Sequence, residues 1–211
     1  MKKYLAELVG TFILVFAGTG AIVINELYGS VTHLGVGLTF GLVVMAVIYS
    51  IGEISGAHIN PAVSIAFWAA KRMNGKEVLP YIVFQILGAF LASFTIKMLF
   101  PESNLLGATL PADSWEQSFI LEFILTFILM FVILQVSSGS KETGTIAAIA
   151  IGAVVALEAI FAGPVCGASM NPARSIAPAV MAGNLTHLWL YIVATTLGAV
   201  ASVGAYRLIK P

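Results

Sequence analysis

Apolar stretches alternate with short polar breaks along all 211 residues, and six of the stretches are of spanning length: 4–25, 35–54, 78–100, 119–136, 145–161 and 187–209. A hydrocarbon core about 30 Å thick needs about 20 apolar residues in helical form, so each run predicts a transmembrane helix. Two shorter runs, 61–70 and 172–181, each begin at a proline that follows a small-residue loop. A proline in first helical position after an asparagine is a helix-start signal. Ten residues at 1.5 Å each cover about 15 Å, half of that core. Two half-spans entering from opposite faces would meet mid-membrane with their first residues facing each other. The pattern therefore predicts an all-α integral membrane protein of six transmembrane helices plus two re-entrant half-helices.

The pattern also repeats. Residues 6–16 line up with 121–131 at a shift of 115 from Glu7 to Glu122, the Asn-Pro-Ala triplets at Asn60 and Asn171 lie 111 apart, and Tyr81 with Gly88 matches Tyr191 with Gly198 at 110. The order span, span, half-span, span thus occurs twice, in halves of about 1–100 and 115–211 within a single domain, 1–211. Each copy holds three full spans, an odd number, so the second runs through the membrane upside down relative to the first.

Composition and charge fix the setting. Hydrophobic residues make up 59% and charged residues 9% of the chain, where a soluble domain carries about a quarter charged residues. The segment 5–24 is read as a retained span rather than a signal peptide, because no small-residue cleavage site is suitably placed. A single cysteine, Cys166, excludes an intrachain disulfide, and a net charge of zero offers nucleic acid no attraction. With alternating spans, Lys2, Lys3, Lys71, Arg72, Lys76, Lys141, Arg207 and Lys210 fall on one side; Lys97 lies near the other, and Arg174 lies within the second half-span. The positive-inside rule makes the basic side, with both termini, cytoplasmic.

Non-helical backbone at membrane depth is tolerated only where it is buried in protein or lines a water-filled cavity. Gly56-Ala57-His58 and Gly167-Ala168-Ser169 are such loops, and single-file water would supply donors to their carbonyls. Asn60 and Asn171 each bring an amide with two donors toward one central point, and each half-helix points its positive end there. Together they would hold a passing oxygen and repel cations. One Asn-Pro-Ala alone reads as a plain helix cap; two at matching places in an inverted repeat read as a central constriction.

The two loops, Ser-Gly-Ala-His-Ile-Asn-Pro-Ala-Val (55–63) and Gly-Ala-Ser-Met-Asn-Pro-Ala-Arg-Ser (167–175), resemble the signature loops of the aquaporin (major intrinsic protein) family, and the resemblance covers almost the whole chain. It implies a right-handed bundle of six tilted helices, assembled as a homotetramer in the plasma membrane with one pore per subunit. Residues 161–165 and 189–193 look most like the plant nodulin-26-like branch and its bacterial relatives. Carried over by spacing from the triplets, the family's narrow filter falls on Phe40, Ala159, Ala168 and Arg174. Strict water channels resembling this chain place a His where Ala159 stands, so the opening is expected to be wider and less polar. Ser175 and Ala179, by contrast, look like the water-channel branch rather than the glycerol facilitators. The expected function is passive passage of water and small neutral solutes such as glycerol, against the alternatives of a strict water channel or a channel for boric or arsenous acid.

The resemblance also makes Glu7 and Glu122 acceptors for the backbone of the two loops and His58 a pore-lining residue, with gating as the other role for that histidine. Glu158, about 100° around its helix from Ala159, is expected to face a neighbouring helix or the subunit contact. Cys166 reads as a small packing residue or a mercury-reactive site, and His33 and His187 as loop or interfacial residues. No metal-ligand cluster, cofactor motif or nucleophile–base pair appears, which leaves an enzyme without support. A secondary transporter, the rival built on the same inverted-repeat plan, would need more membrane-buried acids than Glu7, Glu122 and Glu158.

Overall fold

The computed structural model describes residues 1–137 and 141–209, and over them it contains helices and connecting loops only. The helices are α1 (Lys2–Tyr28), α2 (Thr32–Ser55), α3 (Pro61–Ala69), α4 (Gly75–Leu99), α5 (Trp115–Val136), α6 (Lys141–Cys166), α7 (Pro172–Ala182) and α8 (Leu188–Ile209). All but α3 and α7 are long and apolar enough to cross a membrane. Part of the polar turn expected over 137–144, and Lys210, lie outside the described residues.

Local signals explain the boundaries. The Asn74 and Ser114 side chains accept from the backbone N–H groups of Lys76 and Gln117 and start α4 and α5 a few residues before the apolar runs begin. Gly29, Gly56 and Gly183 close α1, α2 and α7 with φ of 64°, 86° and 74°, which a side chain would resist. One boundary differs from expectation: the fifth span was predicted to stop at 161, yet α6 continues through Pro164 to Cys166. Proline removes the N–H that would bond the carbonyl four residues back. That carbonyl, on Ile160, is taken instead by the His33 ring Nε2 at 2.6 Å, so the helix survives the break.

Packing follows the repeat. α1 lies on α2 and α4, α5 lies on α6 and α8, and α2 crosses α6 between the two groups. A Cβ at Gly88 would overlap the Leu8 carbonyl and one at Gly198 the Phe123 carbonyl, so both close helix pairs depend on a missing side chain at matching places. Where α2 crosses α6, Gly41 and Gly152 touch backbone to backbone, again 111 residues apart. The half-helices are exchanged, with α3 packing on α8 and α7 on α4. Contacts at one end of the bundle join Lys3 to Glu77, Arg72 to Ser137 and Arg207 to Ala69, so both chain ends share a face. The outer helix surfaces stay apolar, with Leu5, Val9, Leu87, Leu91 and Phe94 exposed as a bilayer requires.

Candidate functional site

Both re-entrant loops turn through left-handed backbone at corresponding residues: Gly56, Ala57 and Ile59 in the first, Gly167, Ala168 and Met170 in the second. Non-glycine residues resist this conformation unless something holds them. A buried carboxylate does so in each case. Glu7 accepts from the His58 and Ile59 N–H groups at 2.9 and 2.6 Å, and Glu122 from those of Ser169 and Met170 at 2.7 and 2.9 Å. Tyr81 and Tyr191 donate to the last carbonyls of α2 and α6, on Ser55 and Cys166, at 2.7 and 2.8 Å.

The asparagines close the gap between the loops. Asn60 Oδ1 caps α3 by accepting from Ala62, and Asn171 Oδ1 caps α7 by accepting from Ala173 and Arg174. Their amide groups cross over: Asn60 Nδ2 donates to the Met170 carbonyl at 2.7 Å and Asn171 Nδ2 to the Ile59 carbonyl at 2.9 Å. The expectation that both amide hydrogens face a common centre is therefore corrected. One hydrogen of each amide is spent on locking the opposite loop, which leaves one for a passing molecule.

A cavity of about 930 Å³ runs past this point, with Asn60 and Asn171 in its wall. Its lining combines the backbone-rich loop residues Gly56, Ala57, His58, Ala168 and Ser169 with aliphatic side chains such as Leu14, Val44, Leu129, Ile133 and Val155. The His58 ring is held by stacking on Phe67 at 4.6 Å and by a 3.0 Å contact from Nδ1 to the Ser64 hydroxyl. Because that hydroxyl donates to the Asn60 carbonyl, Nδ1 is the donor and Nε2 is left for the cavity.

At the far end of the cavity stand Phe40, Ala168 and Arg174. Arg174 is 2% exposed; its Nη1 donates to the Gly107 carbonyl at 2.7 Å, its guanidinium carbon lies 5.3 Å from the centre of the Phe40 ring, and its Nε has no partner. Gly18 makes room for the Phe40 ring, which a Cβ there would strike. Gly107, with φ of 71°, sits against the Thr19 backbone where no side chain fits. Ala159 is buried on α6 and does not line the cavity with the other three; Gly167 is likewise set back from it. Two loops that carry reversed half-helices into the wall of one cavity beside a buried arginine narrow the possible families sharply.

The major intrinsic protein family model matches residues 1–206. This chain belongs to the major intrinsic protein (aquaporin) family. It is 46% identical to Aquaporin NIP3-1 of Arabidopsis thaliana, over all of this chain and 68% of the relative, and 42% identical to Nodulin-26 of Glycine max, over all of this chain and 78% of the relative. The solved aquaglyceroporin of Plasmodium falciparum superposes with a TM-score of 0.91 at 27% identity, covering 99% of this chain and 96% of that one. The chain is thus a channel for water and small solutes and not an enzyme.

Several residues that shape this aquaporin-family channel were not singled out from the sequence. Lys97 Nζ donates to the Met181 carbonyl at 2.9 Å and Arg207 Nη2 to the Ala69 carbonyl at 2.6 Å, so a cation closes the negative end of each half-helix. The two are 110 residues apart, the same shift as Tyr81 to Tyr191, and that shift was the available signal. The stretch 101–117, which leads from α4 into the first turn of α5, carries Glu102, Asp113 and Glu116 and no Lys or Arg. Its loop folds inward: Leu106 is buried, and the Thr109 hydroxyl begins a chain through Ser175 (2.7 Å) and Ser169 (2.6 Å) to the Asn171 carbonyl (3.0 Å). Glu158 is buried inside the subunit rather than at its surface, and Cys166 is a fully buried packing residue whose thiol points at the Ala162 carbonyl.

Proposed function

We propose that residues 1–211 form one channel domain, built of halves 1–100 and 115–211, that passes water and glycerol-sized neutral solutes without coupling to an ion. It works as a homotetramer in the plasma membrane with both termini in the cytoplasm. The observation that carries this reading is the mixed lining of the cavity. A polyol presents hydroxyls on one edge and carbon on the other, and here loop groups and Arg174 share the lining with aliphatic side chains and Phe40, whose ring lies 5.3 Å from the guanidinium. The relatives' names support the same class of solute.

Asn60 and Asn171 form the central constriction, each offering its remaining amide hydrogen to the oxygen of the solute. Phe40, Ala168 and Arg174 form the selectivity filter where they line the cavity, and Ala159, which does not line it, belongs to the filter by keeping α6 small at that position. Arg174, pinned at Nη1, keeps its other terminal donors for solute oxygen and opposes cations by its charge. Glu7 and Glu122 support the loops and take no part in transport. With small residues at Ala159 and Ala168, the filter also admits undissociated boric or arsenous acid.

Stopped-flow light scattering on proteoliposomes tests the reading with gradients of water, glycerol, urea and boric acid. Downhill flux of water and glycerol, unaffected by sodium or proton gradients, is expected. Uphill solute movement driven by either ion would overturn it.

A further inference from the structure

The two loop anchors are not equivalent. Glu7 accepts four hydrogen bonds: two from backbone, one from the Ser55 hydroxyl at 2.7 Å and one from Gln85 Nε2 at 2.8 Å. Glu122 has the same two backbone donors, but the positions corresponding to Ser55 and Gln85 are Cys166 and Thr195. A thiol is a weak donor, and the Cys166 sulfur is directed at the Ala162 carbonyl. The Thr195 hydroxyl donates to the Tyr191 carbonyl at 2.6 Å. The Cys166 thiol also lies within reach of Glu122, so the second anchor has a weak thiol donor where the first has a hydroxyl, and no donor where the first has an amide.

The second half also holds a buried acid that the first does not. By the shift of 111 that relates Gly41 to Gly152, Glu158 corresponds to Val47. Glu158 is 1% exposed, neither of its carboxyl oxygens has a hydrogen-bond partner, and its charged neighbour is Glu122 on the facing helix α5. The Ser118 hydroxyl, one turn before Glu122 on α5, is also buried and unpartnered. Two carboxylates close enough to feel each other's charge in a dry interior are not both stable as ions. Arg174 stands on the Glu122 side, and His33, the titratable residue that α2 brings to this part of α6, already donates to Ile160.

We propose that Glu158 carries a proton and donates it, directly or through one bound water held with Ser118, in a hydrogen bond to the Glu122 carboxylate. Glu158 is then a positioning residue. It supplies to the second signature loop the donor that Gln85 supplies to the first, and through Ser169 and Met170 it sets the loop that carries Asn171 and Arg174. No proton leaves the pair during transport.

Three variants and one spectrum test this. Infrared difference spectra of the wild type should contain a band for a buried protonated carboxyl group that disappears in Glu158→Gln. The glutamine variant keeps a donor and should retain water and glycerol flux. Glu158→Val copies the first half, so it should pack, but it leaves Glu122 with its two backbone donors and the weak thiol of Cys166. Its flux should fall about tenfold, the change that one charge-assisted hydrogen bond brings to an equilibrium between a held and a released loop. Adding Thr195→Gln, which transplants the donor of the first half, should restore it. Absence of the band from the wild type, wild-type flux in Glu158→Val, or failure of the added glutamine to restore flux in a folded double variant would each overturn the proposal. Should Glu158→Val fail to fold, the band and the flux of Glu158→Gln decide alone: band lost with flux kept supports the proposal, and any other pairing refutes it. General loss of channel activity in the wild type would instead count against the proposed function.

Discussion

Replacing Glu7 by alanine should release the first signature loop. The carboxylate is fully buried and takes both N–H groups of the left-handed segment, from His58 and Ile59. Ser55 and Gln85 lose a partner as well, although Gln85 keeps its bond to the Ser64 hydroxyl. Counting only the two backbone groups, at about 1–3 kcal/mol for each buried donor left unmade, the loss is about 2–6 kcal/mol. Water entering from the adjoining cavity can reach His58 and pulls the figure toward its lower end. Against a total stability of about 5–15 kcal/mol this is a large fraction. Thermal unfolding in detergent, followed by size exclusion, should show a midpoint lower by roughly 5 °C or more. The folded fraction in proteoliposomes should conduct water poorly, because Asn60 is no longer held in register. Glu7→Gln keeps one carbonyl oxygen and should lose about half as much. A Glu7→Ala protein that melts within about 2 °C of the wild type and conducts normally would refute the anchoring role.

Three further outcomes follow from the same geometry. Ala159→His adds bulk and a hydrogen-bonding ring at the proposed filter and should cut glycerol flux far more than water flux; an equal fall in both would remove position 159 from the filter. Gly88→Ala places a methyl group against the Leu8 carbonyl, where backbone cannot yield, and should destabilise by about 1–3 kcal/mol despite the better helix propensity of alanine, as read by thermal unfolding. Lys97→Met and Arg207→Met each remove an exposed cation from a half-helix end and should cost about 0.5–1 kcal/mol apiece, adding in the double variant because the sites lie at opposite faces.

Much of this architecture was legible because membranes impose strong periodicities. The six long runs and the two proline-led short ones mark helices by length alone, and Glu7 and Glu122 stood out as acids inside apolar spans. What escaped notice depended on backbone atoms or on distant partners. The fifth span was expected to stop at 161, and its continuation through Pro164 rests on a donor, His33, that lies 127 residues away from Ile160. Arg174 is pinned by the Gly107 carbonyl, and a carbonyl carries no residue identity for a sequence to display. The crossing of the Asn60 and Asn171 amides was hidden for the same reason, since their acceptors are again main-chain oxygens. Lys97 and Arg207 were visible in principle, but only to a comparison of the halves residue by residue.

That crossing bears on the order in which the chain can reach its final state. The acceptor for the Asn60 amide, the Met170 carbonyl, is synthesised 110 residues later. At about 5–20 residues per second, a ribosome delivers it roughly 6–20 s after Asn60 emerges. Throughout that interval the Ile59 carbonyl also has no Asn171 to receive, and α3 has no α8 to lie on. A polar loop without partners is not stable in lipid. The first half-helix must therefore wait at the membrane surface or in a protein-lined passage, and its descent to mid-membrane is a late event that completes with the C-terminal half.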